Sequence, residues 1–299
     1  MAKRKKSFRN RVTLGDVINS IVLLAFTFLC LYPFWYIFIG SISNPNIPVR
    51  TLTFLPKDVT LFNYKGLLEA MGISVARTVT GTLLSVLLTA FMAYLFTLQK
   101  MPARKFFYRV VIVTMYLSGG LIPTFLVYKS YGLLNTFWVY IIPGAVSVYN
   151  MVLVKTFLEN GIPESLGESA SLDGAGPLTI FFRIMLPLSL PILATIALFV
   201  AVGQWNSWFD NMIYNTANSN LDTLQYLLYK KLNEANKIAE AARSGNATMV
   251  GDMLSRQMKL TPDSIRMTIT MLVTLPILCV YPFLQKYFVK GIMVGAVKG

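Results

Sequence analysis

The sequence predicts an all-α fold: a polytopic membrane protein with six transmembrane helices. Three observations carry this expectation. Of the 299 residues, 55% are hydrophobic and only 13% charged, against about 25% charged in an average soluble domain. Apolar runs of spanning length recur along the chain, whereas the strands of a transmembrane β-barrel are short alternating segments. Lys and Arg outnumber Asp and Glu by 27 to 13, for a net charge of +14. Basic residues gather on one side of a membrane under the positive-inside rule, so the charge is explained without nucleic acid, and no RNA-binding or helix-turn-helix pattern interrupts the apolar runs.

The first 16 residues form a basic inside segment with Lys3, Arg4, Lys5, Lys6, Arg9 and Arg11. The run Val17 to Ile42 follows. It exceeds the roughly 7–15 residues of a signal-peptide core, so a retained first helix is expected. Pro45 to Val75 is an external loop, and Thr78 to Leu98 the second span. The connector 99–105 carries Lys100, Arg104 and Lys105, the kind of short basic loop that lies inside.

The third span, Phe106 to Tyr128, contains Gly119, Gly120 and Pro123. Such residues break helical hydrogen bonding where other helices or a water-filled cavity satisfy the backbone, or let helices pack closely. The fourth span is Phe137 to Phe157, with Pro143 and Gly144 inside it. The fifth, Leu188 to Phe209, ends in the polar cluster Gln204-Trp-Asn-Ser-Trp208.

Residues 210–264 form the long external loop, with a helix over Leu224–Arg243, a break at Gly245-Asn246 and a second helical stretch near Met249–Lys259. The sixth span is Ile265 to Leu284, and the tail 285–299 carries Lys286, Lys290 and Lys298. The transmembrane domain thus covers 17–284. Six crossings place both termini, the 99–105 connector and the 158–187 segment together on the inside.

Cys30 and Cys279 each fall inside a span and histidine is absent, so neither a Cys/His metal site nor a redox pair is expected, and the commonest general base is missing. No Gly-x-x-x-x-Gly-Lys-Ser/Thr phosphate loop occurs. The chain is therefore not expected to bind or hydrolyse ATP.

The most informative stretch is 158–187. Pro163 suits a first helical turn, and Glu164 and Glu168 sit near its positive end. A short helix to Leu172 is stopped by Asp173-Gly-Ala-Gly176. Pro177 starts a second short helix running to Met185, and Pro187 opens the fifth span. The product is a helical bracket across the inner mouth, with Phe181, Phe182, Ile184 and Met185 as its apolar side.

The spacing Glu168-x-Ala170, Gly174, nine residues, then Ile184-x-Leu186-Pro187 resembles the cytoplasmic EAA loop of permease subunits of bacterial ABC importers, with Ser169 replacing the usual first alanine. Leu172-Asp-Gly-Ala-Gly-Pro177 and Leu186-Pro-Leu-Ser-Leu-Pro191 resemble the carbohydrate branch related to the maltose system. The likeness extends over most of the chain, including Trp205-Asn206 and the tail 287–299. Leu117-Ser-Gly-Gly120 imitates the ABC ATPase signature but lies inside a span.

The resemblance implies a type I ABC importer permease fold in which the bracket is a coupling helix docked on a cytoplasmic ATPase dimer. Gly174 would allow close approach, Glu168 and Asp173 would offer anionic contacts, and Ala170, Ile184, Leu186 and Pro187 complete the motif. Residues 291–299 would reach toward the ATPase dimer interface. The implied partners are a second homologous permease forming a heterodimeric pore, an extracellular solute-binding protein, membrane lipid and a carbohydrate. ATP and Mg would sit on the partner ATPase, with no cofactor in this subunit. The implied location is the cytoplasmic membrane, multi-pass, with both termini cytoplasmic. The long outer loop suggests the branch handling larger oligosaccharides.

Sugars are held by hydrogen bonds and aromatic faces, so Tyr116, Tyr149, Asn150, Gln204, Trp205 and Asn206 are the candidates for a substrate path. The same residue types also mark membrane interfaces and glue helices together. Two other functions compete. An ion-coupled transporter calls for intramembrane ionisable groups, yet apart from Asp210, at a span's edge, no acid lies within a predicted span. A membrane-anchored scaffold or sensor would use the bracket to recruit a soluble protein without transport.

Overall fold

The computed structural model describes residues 14–44, 54–61, 64, 67–243, 264 and 266–279. Among these residues the only regular elements are helices. The basic residues 3–11, the Gly245-Asn246 break, the 249–259 stretch and the tail 285–299 lie outside the described residues.

Helix α1 spans Leu14–Ile42 and α2 spans Leu68–Leu95. Each is long and apolar enough to cross a membrane, since a helix rises about 1.5 Å per residue and the hydrocarbon layer is about 30 Å thick. A third span exists if Pro177–Leu188 and Leu190–Asn206, bent by 80°, count as one. Helix α1 is exposed over its first two-thirds. Its far end is tied down by Ser41 Oγ to Tyr64 Oη at 2.8 Å and by Thr268 Oγ1 donating to Ser41 O at 3.3 Å.

Helix α2 starts ten residues before the expected Thr78. Its buried face runs Ala70, Ser74, Arg77, Gly81, Ser85, Thr89, Ala93, a three-to-four-residue spacing that puts these residues on one side of a helix. The apolar pattern stops at Arg77 in the sequence, but the helix continues because partners on other elements satisfy Ser74 and Arg77.

The expected third span is broken into α3, Arg104–Thr114, and α4, Leu121–Ser130. Between them Ser118-Gly119-Gly120 strings together residues of poor helix propensity, and Pro123 falls in the first turn of α4, where its missing N–H costs nothing. The expected fourth span divides too. A 3-10 turn covers Phe137–Tyr140, residues 141–147 are irregular, and α5 is Val148–Gly161. Pro143 and Gly144 interrupt the helix, and Ser147 Oγ restarts it by accepting from Asn150 N at 3.3 Å.

After α5 come α6, Glu164–Leu172; α7, Pro177–Ile180; a π-helical turn, Phe181–Met185; α8, Leu186–Leu188; and α9, Leu190–Asn206. Helices α10, Phe209–Tyr214, and α11, Leu224–Arg243, follow, and Arg266–Cys279 is α12. Helix α2 is the hub, packed on α5 and α9. At one end its Ala93 and Tyr94 meet Met151 and Val154 of α5 and Ile196 of α9. At the other, Ala70 joins Trp205, Leu224, Ile269 and Val273.

Candidate functional site

Two regions at opposite ends of α2 carry the polar and exposed groups. The first is the bracket 163–189. Pro163 precedes α6, and Glu164 occupies its first turn, where a carboxylate is favoured by the helix dipole. Glu164 Oε1 also accepts from Gln99 Nε2 at 2.5 Å, which joins the basic connector to the bracket on one side of the molecule.

Helix α6 ends in a Schellman motif. Ala175 N donates to Ala170 O at 2.9 Å and Gly174 N to Ser171 O at 3.1 Å, with Gly174 at φ 84°, a left-handed conformation that glycine adopts without penalty. Pro177 then starts α7. The wide turn that follows is set by Leu186 N donating to Phe181 O, five residues back. Pro187 leaves Arg183 O without its usual helical donor. Ser189 closes the turn through N and Oγ, both donating to Met185 O, at 3.0 and 2.6 Å, and the chain bends into α9.

The bracket's apolar residues divide by direction. Phe181 is 1% exposed and Ile180 5%. The Phe181 ring lies 5.2 Å from Phe91 and 5.4 Å from Tyr94, and Tyr94 Oη donates to Pro177 O at 3.1 Å. Of the motif residues, Ala170, Ile184 and Leu186 are half-buried against this same cluster, so they hold the bracket to its own chain. Glu168, Asp173, Gly174 and Pro187 are exposed. So are Leu178, Phe182 and, at 89%, Leu172. The sequence alone does not mark Leu172 or Leu178 as a contact residue, although both lie inside the motif.

The second region, around the end of α9, was only half visible in the sequence. Arg77 of α2, 3% exposed, donates from Nε to Gln204 Oε1 at 2.9 Å and from Nη1 to Asp210 Oδ1 at 3.1 Å and Ser207 O at 3.4 Å. Its Nη2 meets Asp210 Oδ2, and its guanidinium lies 4.7 Å from the centre of the Tyr140 ring. Ser207 Oγ and Asn211 N both donate to Asp210 Oδ1 at 2.9 Å. The signal that could have found Arg77 is its place at the end of the four-spaced row Gly81, Ser85, Thr89, Ala93.

A clasp extends this network to the outer loop. Buried Asn211 donates from Nδ2 to Asp222 Oδ1 at 3.2 Å and accepts from Thr223 N at 2.8 Å. Leu224 N donates to Ser74 Oγ at 2.9 Å, and Tyr140 Oη to Leu221 O at 3.0 Å. Burial pushes the Asp222 carboxyl above the ordinary aspartate value, while the Asn211 amide and the Lys230 charge pull it down.

The six candidates for a substrate path fare differently. Trp205 is buried and donates from Nε1 to Val273 O at 3.0 Å, tying α9 to α12. Asn150 is buried near the start of α5. Asn206 is exposed and accepts from Gln225 Nε2 at 3.1 Å. Tyr116, in the break between α3 and α4, and Tyr149 are exposed. Gln204 alone of the six joins the Arg77 network. Among the described residues, no group of three or more His, Cys, Asp or Glu side chains is placed to hold a metal.

With this geometry in place, comparison with known proteins is specific. Residues 81–209 match the family model described as binding-protein-dependent transport system inner membrane component. The chain is 37% identical to Protein LplC of Bacillus subtilis over 291 residues, 95% of each chain. It is 36% identical to the polygalacturonan/rhamnogalacturonan transport system permease protein YtcP of Bacillus subtilis, over 96% of this chain and 99% of that one. A crystal structure of a bacterial ABC transporter involved in the import of the acidic polysaccharide alginate contains a chain that superposes with a TM-score of 0.70 at 27% identity, covering 95% of this chain and 100% of that one.

Proposed function

The chain belongs to the binding-protein-dependent transport system inner membrane components, the permeases of ABC importers, and from that premise we propose that it forms half of a pore for oligosaccharides whose opening is driven through the 163–189 bracket. It is a multi-pass protein of the cytoplasmic membrane and not the ATPase of its transporter. The substrate class rests on relatives named for polygalacturonan, arabinooligosaccharide and galactooligosaccharide transport. Six crossings are reached if α1, α2, the broken pair α3 and α4, the segment 137–161, α9 and α12 each traverse the bilayer.

The observation that carries the coupling role is the two-sidedness of the bracket. Phe181 and Ile180 lock it to α2, while Leu172, Leu178 and Phe182 stay exposed beside Glu168, Asp173 and Gly174. A partner that buries these three side chains gains on the order of 1.5–3 kcal/mol for each one fully covered. That partner is a cytoplasmic ATPase dimer, which carries ATP and Mg. A second, homologous permease completes the pore, and an extracellular binding protein delivers the solute, with the 210–264 loop as its landing surface.

Purified complex in liposomes tests this reading. ATP-dependent uptake of oligosaccharides delivered by the binding protein is expected, and Gly174→Trp, which places an indole on the exposed side of the bracket at a left-handed backbone position, should abolish it. Uptake that persists in the Gly174→Trp complex, or a native complex purified without an ATPase, would sink the reading.

A further inference from the structure

We propose that Arg77 is a positioning residue for solute selection: it orients the Gln204 side chain so that its amide NH2 is offered to the oxygens of a passing saccharide. The inference rests on the importer reading above and goes beyond it. It also goes beyond the family match, because Arg77 and Asp210 lie just outside the matched residues 81–209.

The argument starts from a one-way bond. Arg77 Nε donates to Gln204 Oε1 at 2.9 Å. A guanidinium has only donors to give, so this bond selects one of the two orientations of the amide, with the oxygen toward Arg77 and the nitrogen away from it. Among the described residues no group accepts a hydrogen bond from Gln204 Nε2.

That nitrogen sits in a notch made by two missing side chains. A Cβ on buried Gly81 would lie 2.9 Å from it, and one on Gly144 would lie 3.7 Å away. Gly144 is exposed along with Ile142 and Pro143, and the backbone of 141–147 is not helical. Within a membrane protein, irregular backbone is tolerated where it is covered by protein or lines a water-filled cavity. The uncovered side of the notch is therefore where a hydrated solute would meet the Gln204 NH2.

Arg77 itself is spent. Its guanidinium is covered by Tyr140, neutralised by Asp210 and bonded to Gln204, Ser207 and Asp210. It acts through Gln204 and presents no face of its own. A buried ion pair contributes no more to stability than apolar residues of the same volume would, so stability alone does not account for Arg77.

The test uses the full complex with its ATPase and binding protein in liposomes, offered a panel of labelled oligogalacturonides and neutral galacto-oligosaccharides. The readout is the ratio of ATP-dependent uptake rates between the two best-transported members, normalised to incorporated complex. Gln204→Ala should shift that ratio about fivefold, the worth of one hydrogen bond near 1 kcal/mol. Arg77→Lys, which keeps the charge opposite Asp210 but not the geometry, should shift it in the same direction. The double variant should shift it no further than Gln204→Ala alone.

A merely structural role would lower uptake of every oligosaccharide by one factor and leave the ratio unmoved. Gln204→Ala leaves the ion pair intact, so an unmoved ratio in it overturns the inference even if Arg77→Lys fails to assemble. Wild-type uptake accompanied by an unchanged ratio in Gln204→Ala overturns this inference alone. Absence of ATP-dependent uptake in the wild type overturns the importer reading, and this inference with it.

Discussion

The Phe181 ring of the bracket lies 5.4 Å from the Tyr94 ring of α2, and Tyr94 Oη reaches back to Pro177 O. Helix α2 runs from this contact to Arg77 at the other end of the core. In the coupling proposed above, a movement of the bracket would reach the helix that also carries the polar network.

Phe181→Ala should break that delivery. Truncating a buried aromatic costs about 3–5 kcal/mol, here at the joint between bracket and α2. The ATPase should still bind, because Leu172 and Leu178 remain exposed, but solute carried per ATP hydrolysed should fall about tenfold or more, since each 1.36 kcal/mol is a tenfold change. Simultaneous measurement of uptake and phosphate release checks this, and an unchanged ratio would refute the joint.

Leu172→Asp separates docking from folding. The side chain is 89% exposed, so the melting temperature of the isolated subunit should not move. Affinity for the ATPase should drop about tenfold or more, from the loss of a leucine burial worth about 1.5–3 kcal/mol. Co-purification and titration of the ATPase against the detergent-solubilised subunit give the answer.

Arg77 and Asp210 should behave as a unit. Removing one partner of a buried pair costs about 3–5 kcal/mol because the other charge is left uncompensated. Arg77→Met and Asp210→Asn should each lower thermal stability strongly, and the double variant should lose less than the two single losses combined. Additive losses in a thermal double-mutant cycle would show that the two do not interact.

Asp222 should impose a pH dependence on the outer clasp. Its folded value is raised by burial above the ordinary 3.8, so the folded state favours the protonated form. Its contribution is fully present below 3.8 and is lost as pH rises through the folded value. Asp222→Asn keeps an oxygen for Asn211 Nδ2 and removes the titration. The melting temperature of Asp222→Asn relative to wild type should therefore rise as the pH is raised above 3.8, and a difference that stays constant would contradict the assignment.

Much of the bracket was legible in the sequence because its chemistry is local. Pro163, Gly174 and Pro177 each dictate their own backbone angles, and the structure places α6, its Schellman turn and α7 where those residues predict. Apolar composition predicts spans three and four as continuous helices, whereas in the structure the chain is interrupted around Gly119-Gly120 and Pro143-Gly144. The start of α2 was misplaced for a related reason. A charge at Arg77 ends an apolar run on paper, whatever satisfies it in space.

The sequence by itself determined that the chain lives in a membrane, and local residue chemistry determined the shape of the bracket. Tertiary structure alone decided which apolar residues of that bracket face inward, and that Gln204 belongs with Arg77 rather than with its neighbour Trp205. The physical reason is range. The bonds from Arg77 to Gln204 and Asp210 join residues 127 and 133 positions apart, and no local angle preference or hydrophobic period carries information over that distance until α2 and α9 have packed.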